Sequence, residues 1–389
     1  MSENGARGPL AGIRVADFSR VLAGPYCTML LADLGAEVIK VERPEAGDDT
    51  RAWGPPEVSG ESAYFLAVNR GKRSIALDLA AERDRDIALA LCQSADIVVE
   101  NFRPGVADRL GIGYETVKAS NPGAVYCSIQ AYPPGEQPDP RAGLDAIIQA
   151  QSGLMSITGE TSGEPTKIGV ALVDVLTGLN AATAILAALH GRSRTGKGEY
   201  VTVALLSAAL SGLVNIAQNA LTTGIEPGRH GNAHPSIVPY QPFEAADGAL
   251  VVAAGNDAQF GRLCQVLELP GLPEDARFAT NPERVRNRVE LLEVLGTRIA
   301  SWPAEELTAR LSAAGVPASR IYGVLEALRE PETRGAPATM TVQHPKAGDL
   351  ELVRPAFRLA STEVGASLPP PLLGEHTAEL LAQLTDETP

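Results

Sequence analysis

Apolar residues in the first half of the chain alternate between short β-branched runs and longer stretches with helical spacing. The runs IRVAD (13–17) and AEVIKVE (36–42) are typical of strands, and a helix is predicted between them from about Pro25 to Leu34. Proline suits a first helical turn, and Gly35 suits a helix end. Because strand–helix–strand units of about thirty residues build parallel sheets, this order predicts an α/β fold.

The same alternation continues along the chain as far as residue 203. It predicts a large domain over residues 1–205, with a Rossmann-like parallel sheet flanked by helices, to which residues 337–389 return. The spacing GxGxxG of a dinucleotide site is missing, so no nicotinamide or flavin cofactor is predicted. Further strands are predicted at 74–79, 96–101, 124–132 and 200–203, and further helices at 81–94, 114–120 and 144–154.

The pattern changes after the last of these strands. A helical run over 204–221 is followed by the irregular stretch TTGIEPGRHGNAHPSIVPY, and the two together predict a linker over 206–230. Beyond it, a hairpin, helices and a short strand predict a smaller α+β domain over residues 231–330. The segment 44–73 is polar and irregular, and a loop of that length inside an α/β domain is usually functional.

Composition and charge describe a globular protein and narrow its partners. Of 389 residues, 44% are hydrophobic and 21% are charged, and no charge-free run of eighteen apolar residues occurs, so no membrane span is expected. A formal net charge of −14 disfavours binding to nucleic acid. The first residues, MSENGARGPLAG, do not resemble a signal peptide, which predicts a cytoplasmic protein. The four cysteines are scattered, which predicts free thiols and no metal site.

One carboxylate stands alone in a long apolar stretch, GVALVDVLTGLNAATAILAAL (169–189). It is Asp174, and apolar residues recur after it at helical spacing, so a helix should begin close to it. Such a carboxylate can cap the helix by accepting bonds from first-turn N–H groups. It can also be a catalytic group held on a rigid element in a mostly dry cleft. Spacing alone favours the cap, because caps are far commoner than nucleophiles.

Motifs spread over nearly the whole chain resemble class III CoA-transferases. This family includes formyl-CoA transferase, carnitine CoA-transferase and α-methylacyl-CoA racemase. The resemblance runs from about Leu10 to the C-terminal LLGEHT, and it places Asp174 at the family's catalytic aspartate position. It also implies an interlocked homodimer. The motifs are LAGIRVADFSRVLAGPYCTMLLADLGAEVIKVERPEAGDDTR, NRGKRSIALDL, VENFRPGVADRLG, GLDAIIQAQSGLMSITG, GVALVDVLTGL and LLGEHT.

The resemblance implies an enzyme that moves CoA from an acyl-CoA donor to a carboxylic acid acceptor. Asp174 would attack the thioester, so that an aspartyl anhydride and then an aspartyl-CoA thioester form. Coenzyme A would be a substrate and product, and no permanently bound cofactor or metal is expected. Two alternatives stay open: an acyl-CoA racemase or CoA-shifting isomerase of the same family, and a CoA-binding protein without catalysis. The donor and acceptor acids also stay open.

Further site residues follow from the same resemblance. Asp145 keeps an acidic family position and is either a supporting acid or an ordinary first-turn helix charge. His234 is a candidate contact for a substrate carboxylate, although a structural surface role is the commoner one for such a residue. Candidate CoA contacts are Val21, Leu22, Arg43, Leu77, Asn101 and Arg109, with Lys72, Arg73 and Arg103 as nearby candidates for its phosphates.

Leu144 departs from the family pattern. It lies in RAGLD (141–145), where racemases carry His and many transferases carry Tyr. Leucine cannot transfer a proton, so racemisation is disfavoured. The contact that a family Tyr would make with substrate or CoA is also left open at this position.

Overall fold

The computed structural model describes residues 8–135, 141–331, 335–366 and 368–386. Two compact units divide these residues. The first unit lies within 1–154, 168–225 and 337–389, and the second within 155–167 and 226–336. The sequence predicts 206–230 as a linker, but this stretch is helical as far as residue 223 and belongs to the first unit up to residue 225.

Strands and helices are numbered in chain order. The strands are β1 (Arg14–Asp17), β2 (Glu37–Glu42), β3 (Glu57–Val58), β4 (Glu61–Ser62), β5 (Lys72–Ala76), β6 (Ile97–Glu100), β7 (Val125–Gln130), β8 (Tyr200–Ala204), β9 (Tyr240–Glu244), β10 (Ala249–Ala253), β11 (Ala318–Arg320), β12 (Thr339–His344) and β13 (Gly348–Val353). The helices are α1 (Ala23–Asp33), α2 (Ala63–Val68), α3 (Glu82–Ser94), α4 (Val106–Arg109), α5 (Tyr114–Ser120), α6 (Asp145–Gln151), α7 (Leu172–Thr195), α8 (Leu205–Gly212), α9 (Val214–Thr223), α10 (Asp257–Val266), α11 (Asn281–Arg286), α12 (Arg288–Ile299), α13 (Ala304–Ala313), α14 (Val324–Arg329) and α15 (Thr377–Asp386).

A six-stranded parallel sheet forms the centre of the first unit, in the order β5-β2-β1-β6-β7-β8. Val15 on β1 is paired with Val38 on β2 and with Ile97 on β6, and all three are buried. Such β-branched runs suit strands covered on both faces. The strand order reverses between β1 and β6, where open α/β sheets form a ligand crevice at the carboxyl ends of their strands. The predicted parallel sheet is confirmed.

Helices cover both faces of this sheet. On one face, α1, α7 and α8 bury an apolar layer that includes Leu31, Ile185 and Leu205. On the other face, α3, α5 and α15 supply a second layer that includes Leu91 and Leu380. By length and composition alone, α7 and the bent pair α8–α9 could each cross a membrane, a test that core helices of soluble proteins also pass.

Close packing of α7 against α1 determines how deeply Asp174 lies in the first unit. Gly178 faces α1, and a Cβ at this position would come within 2.7 Å of the Ala23 carbonyl oxygen. Any larger residue would therefore push the two helices apart. Because residues four apart share a helix face, Asp174 lies one turn before Gly178 on the same side of α7.

The segment 44–73, predicted as irregular, contains short elements. They are a 3-10 helix over Asp49–Ala52, the hairpin β3–β4 and α2. The second unit has its own antiparallel sheet, β11-β10-β9, and a separate core that includes Leu263 and Leu295.

Candidate active site

Asp174 lies in the first turn of α7, but it is not the residue that caps this helix. The capping carboxylate is Asp145 at the start of α6, whose Oδ1 accepts the N–H groups of Val173 at 2.8 Å and of Asp174 at 3.4 Å. Among the described residues, no side-chain hydrogen bond involves the Asp174 carboxylate. Since another side chain performs the capping role, the structure removes the main structural interpretation of Asp174.

The surroundings of Asp174 make it an unusual carboxyl group. Burial, and then the negative charge of Asp145, raise its pKa to about 7. Both causes disfavour the charged form, because one removes water and the other brings a like charge close. A carboxyl group whose pKa is strongly shifted in a cleft is a candidate for catalysis.

A cavity of about 500 Å³ opens beside Asp174 in the first unit. Four predicted CoA contacts line it: Val21 and Leu22 after β1, and Asn101 and Arg103 after β6. These two loops follow the neighbouring strands at which the sheet order reverses, so the cavity occupies the position expected for a ligand crevice. Its volume is within the range of small-molecule pockets.

Leu144 also lines this cavity and is 63% exposed. The structure thus places this departure from the family motif directly at the site. Arg20 and Arg141 line the same cavity, so three cationic side chains, with Arg103, surround it among the described residues.

The loop after β1 has a strained backbone. Val21 has φ of 70°, a left-handed conformation that β-branched residues rarely adopt. Both carboxylate oxygens of Asp48 accept the Val21 N–H at 3.2 Å. Asn101 accepts the Arg20 N–H at 2.9 Å and donates to the Arg20 carbonyl oxygen at 2.8 Å. Strain of this kind persists where the surrounding structure over-determines it, and it often marks functional sites.

A buried ion pair holds the loop after β1 in place. Lys40 and Asp48 are fully buried and lie 2.9 Å apart, and the Lys40 ammonium also donates to the Ser19 carbonyl oxygen at 2.8 Å. Burial acts to raise the pKa of Asp48, but the charge and hydrogen bond of Lys40 outweigh it and lower that pKa to about 2. Asp48 is therefore ionised at neutral pH, and the loop is tied to a fixed charge.

Three of the five predicted CoA contacts outside the cavity lining are buried or held in internal ion pairs. Lys72 is fully buried on β5, where it pairs with Asp17 at 3.1 Å. Arg73 pairs with Glu37 at 2.6 Å and Glu379 at 3.0 Å. Leu77 is 2% exposed in the core. Packing and internal ion pairs occupy these three side chains, and the CoA contacts predicted for them stay predictions.

The remaining basic candidates are accessible. Arg43 is half exposed and pairs at 2.5 Å with Asp49, which lines the cavity. Arg109 is exposed on α4, outside the residues that line the cavity. Their roles in binding CoA stay predictions.

His234 lies in the second unit. Its ring stacks on Tyr240 with centroids 5.3 Å apart, and its Nδ1 accepts the Ser236 N–H at 3.0 Å. These contacts show an ordinary structural environment, and its substrate contact stays a prediction.

Tyr64 packs near the site, and nothing in the sequence indicated this. It lies on α2, within the segment predicted as irregular, and it packs in an apolar cluster with Leu22 and Ala171. Burial, and then the charges of Asp174 and Asp145, raise its pKa to about 12. The phenol is therefore close enough to both carboxylates to sense their charge, and no local motif indicated this.

Comparison with known proteins agrees with this geometry. Residues 10–377 match the family described as CoA-transferase family III. The chain belongs to CoA-transferase family III. It is 45% identical over 380 residues to succinyl-CoA:glutarate CoA-transferase of Mus musculus, covering 97% of this chain and 86% of that protein. Succinate–glutarate CoA-transferase of Agrobacterium fabrum is 41% identical over 382 residues, covering 97% and 96%.

A solved structure of the same type agrees with the fold. The CAIB/BAIF family protein from Brucella suis superposes with a TM-score of 0.85 at 42% identity, covering 97% of this chain and 100% of that one. The predicted family and the predicted enzyme class, a class III CoA-transferase, are confirmed.

Proposed function

We propose that this family III protein transfers CoA between two carboxylic acids through covalent intermediates on Asp174. The most direct support is the position of the Asp174 carboxylate. It is partly buried, it does not cap α7, and it lies beside a cavity lined by the loops after β1 and β6. Its carboxylate attacks the thioester carbonyl of the donor, the C–S bond breaks, and CoA leaves as thiolate. An aspartyl–acyl anhydride remains.

The second half of the reaction returns CoA to a new acid. The thiolate attacks the Asp174 carbonyl of the anhydride, which releases the donor acid and leaves an aspartyl-CoA thioester. The acceptor carboxylate then attacks this thioester, and the released thiolate takes the acceptor acyl group from the new anhydride. Each step exchanges one activated acyl group for another, so no external energy source is required. The apolar side of the cavity, including Leu22, Ile129 and Leu205, helps to keep water from the anhydride.

We propose dicarboxylic acids as substrates, with succinyl-CoA as a donor and glutarate or a similar acid as an acceptor. The relatives quoted above are named for succinyl-CoA and glutarate. The three arginines around the cavity, Arg20, Arg103 and Arg141, can meet the CoA phosphates and a second carboxylate, because guanidinium groups bind such anions bidentately.

The test is a substrate panel read by product mass. Purified protein is incubated with succinyl-, acetyl- or formyl-CoA and with mono- or dicarboxylic acids of increasing length. We expect new CoA thioesters from succinyl-CoA with dicarboxylates, and hydroxylamine treatment during turnover should label Asp174. CoA binding without exchange would instead support a non-catalytic binding protein. Deuterium uptake at the acyl α-carbon without exchange would support the racemase, against the evidence of Leu144.

The proposal includes an interlocked homodimer that acts in the cytoplasm. The dimer is supported by a series of exposed apolar side chains on α7, α8 and α9, which an interface between two copies of the chain would cover. Light scattering at micromolar concentration should give twice the chain mass, and a monomer would contradict the dimer. Cell fractionation tests the location. The exposed side chains are Leu179, Leu210, Val214 and Leu221.

A further inference from the structure

Gln149 on α6 is buried without any exposed surface and connects the start of α7 with the segment that leads to it. Its Nε2 donates to Asp145 Oδ2 at 2.6 Å, and its Oε1 accepts the Ile168 N–H at 2.9 Å. Asp145 Oδ1 in turn accepts the Val173 N–H at 2.8 Å. A continuous chain of hydrogen bonds therefore runs from Ile168 through two side chains to the first turn of α7.

The direction of each bond in this chain is determined by chemistry. A backbone N–H can only donate, so the Gln149 oxygen must face Ile168 and the amide nitrogen must face Asp145. Asp145 then accepts at both of its oxygens, one from Gln149 and one from Val173. Both oxygens of Asp145 are therefore engaged as hydrogen-bond acceptors within the protein, and its role as a supporting acid stays a prediction.

We propose that Gln149 is a positioning residue for the nucleophilic carboxylate, acting through Asp145. The inference rests on the proposed function of Asp174. The free N–H groups in the first turn of α7 attract nearby carboxylates, and Asp174 lies at the third position of this helix. Asp145 occupies two of these groups, those of Val173 and Asp174, and Gln149 keeps it there. The Asp174 carboxylate consequently stays directed to the cavity instead of capping its helix.

Charged and titratable groups meet at this point from three elements. Asp145 belongs to α6, Asp174 to α7 and Tyr64 to α2, and the two carboxylates both raise the pKa of Tyr64. The charge of Asp145 also acts on Asp174 directly. A displaced Asp145 would thus change both the direction and the ionisation of the nucleophile, while the CoA end of the cavity near Asn101 would be unaffected.

The first test is Gln149→Met, which keeps the length of the side chain and removes both hydrogen bonds. We expect kcat to fall about 100-fold, because misplacement of a reacting group by about 1 Å has an effect of this size. KM for the acyl-CoA should change by less than about two-fold, and labelling of Asp174 by hydroxylamine should slow in parallel with kcat. The matched control is Tyr126→Phe, which removes another buried hydrogen bond, 3.0 Å to the Ile112 carbonyl oxygen, on the opposite face of the sheet.

The second test uses Gln149→Glu, so that the positioning role can be measured even if Gln149→Met does not fold. The introduced carboxyl group can still donate to Asp145 when it is protonated, whereas its ionised form adds a like charge beside Asp145. The activity of this variant relative to the native enzyme should therefore fall as pH rises from about 6 to about 8. A Gln149→Met variant that is folded and has native kcat, or a pH-independent ratio for Gln149→Glu, would overturn the positioning role. Full activity in Asp174→Asn would instead overturn the proposed function itself.

Discussion

Replacing Asp174 with Asn should reduce kcat by about 10⁴-fold or more, as removal of a catalytic nucleophile does. Asparagine has nearly the same shape, but its amide is a very poor nucleophile, so neither the anhydride nor the aspartyl-CoA thioester can form. CoA affinity should stay near native, because the loops after β1 and β6 are unchanged. Initial rates by product mass and CoA binding by calorimetry measure both quantities.

The same variant should be at least as stable as the native protein at neutral pH. Burial and Asp145 raise the folded-state pKa of Asp174 from 3.8 to about 7, so between these values the folded protein binds more protons than the unfolded chain. Asp174 therefore lowers the free energy of unfolding progressively as pH rises from about 4 to about 7. Asp174→Asn should raise the melting temperature at pH 7.5 and leave it unchanged near pH 4.

The variant Asp174→Ala distinguishes a nucleophilic role of Asp174 from a helix-capping role. Because Asp145 caps α7, alanine at position 174 should cost no capping energy and should be inactive. If Asp174 were the cap, Asp174→Ala would lower the free energy of unfolding by about 1 kcal/mol and keep its activity. That result would contradict the assignment of Asp174 as the nucleophile.

Replacing Lys40 with Met should destabilise the first unit by about 3–5 kcal/mol, the usual cost of removing one partner of a buried ion pair. Asp48 would remain buried without its cation, although it would keep its bonds to Thr50 and Val21. The low pKa of Asp48 depends mainly on Lys40, so its carboxyl group would lose the interaction that compensates for its burial. Chemical denaturation at neutral pH measures the loss.

An exposed ion pair provides the control for this prediction. Arg310 and Glu306 lie 2.8 Å apart on the surface of α13, four residues apart. Arg310→Ala should cost about 0.2–1 kcal/mol, the range for exposed pairs. If Lys40→Met cost no more than this control, the buried pair would not be a stabilising anchor for the strained Val21 loop.

The sequence by itself determined the elements that depend on local pattern. Successive β-branched runs separated by helical spacing predicted β1, β2, β6, β7 and β8 close to their observed bounds, because alternation and helical period are properties of neighbouring residues. Ordered motifs identified the family and pointed to Asp174. Where the pattern was polar, as in 44–73, it did not reveal α2 or Tyr64, whose pKa the two carboxylates raise.

The tertiary structure alone decided which side chains perform which roles. Asp145 caps α7 across 28 residues of sequence, and Lys72 meets Asp17 across 55. Neither pairing leaves a periodic signal, because a hydrogen bond depends on where the folded chain brings two groups and not on the residues beside them. For the same reason, no sequence pattern distinguished Gln149 from its neighbours in the helix predicted at 144–154. Only the folded structure places the Gln149 amide between the Ile168 N–H and the Asp145 carboxylate, which caps α7 in place of Asp174.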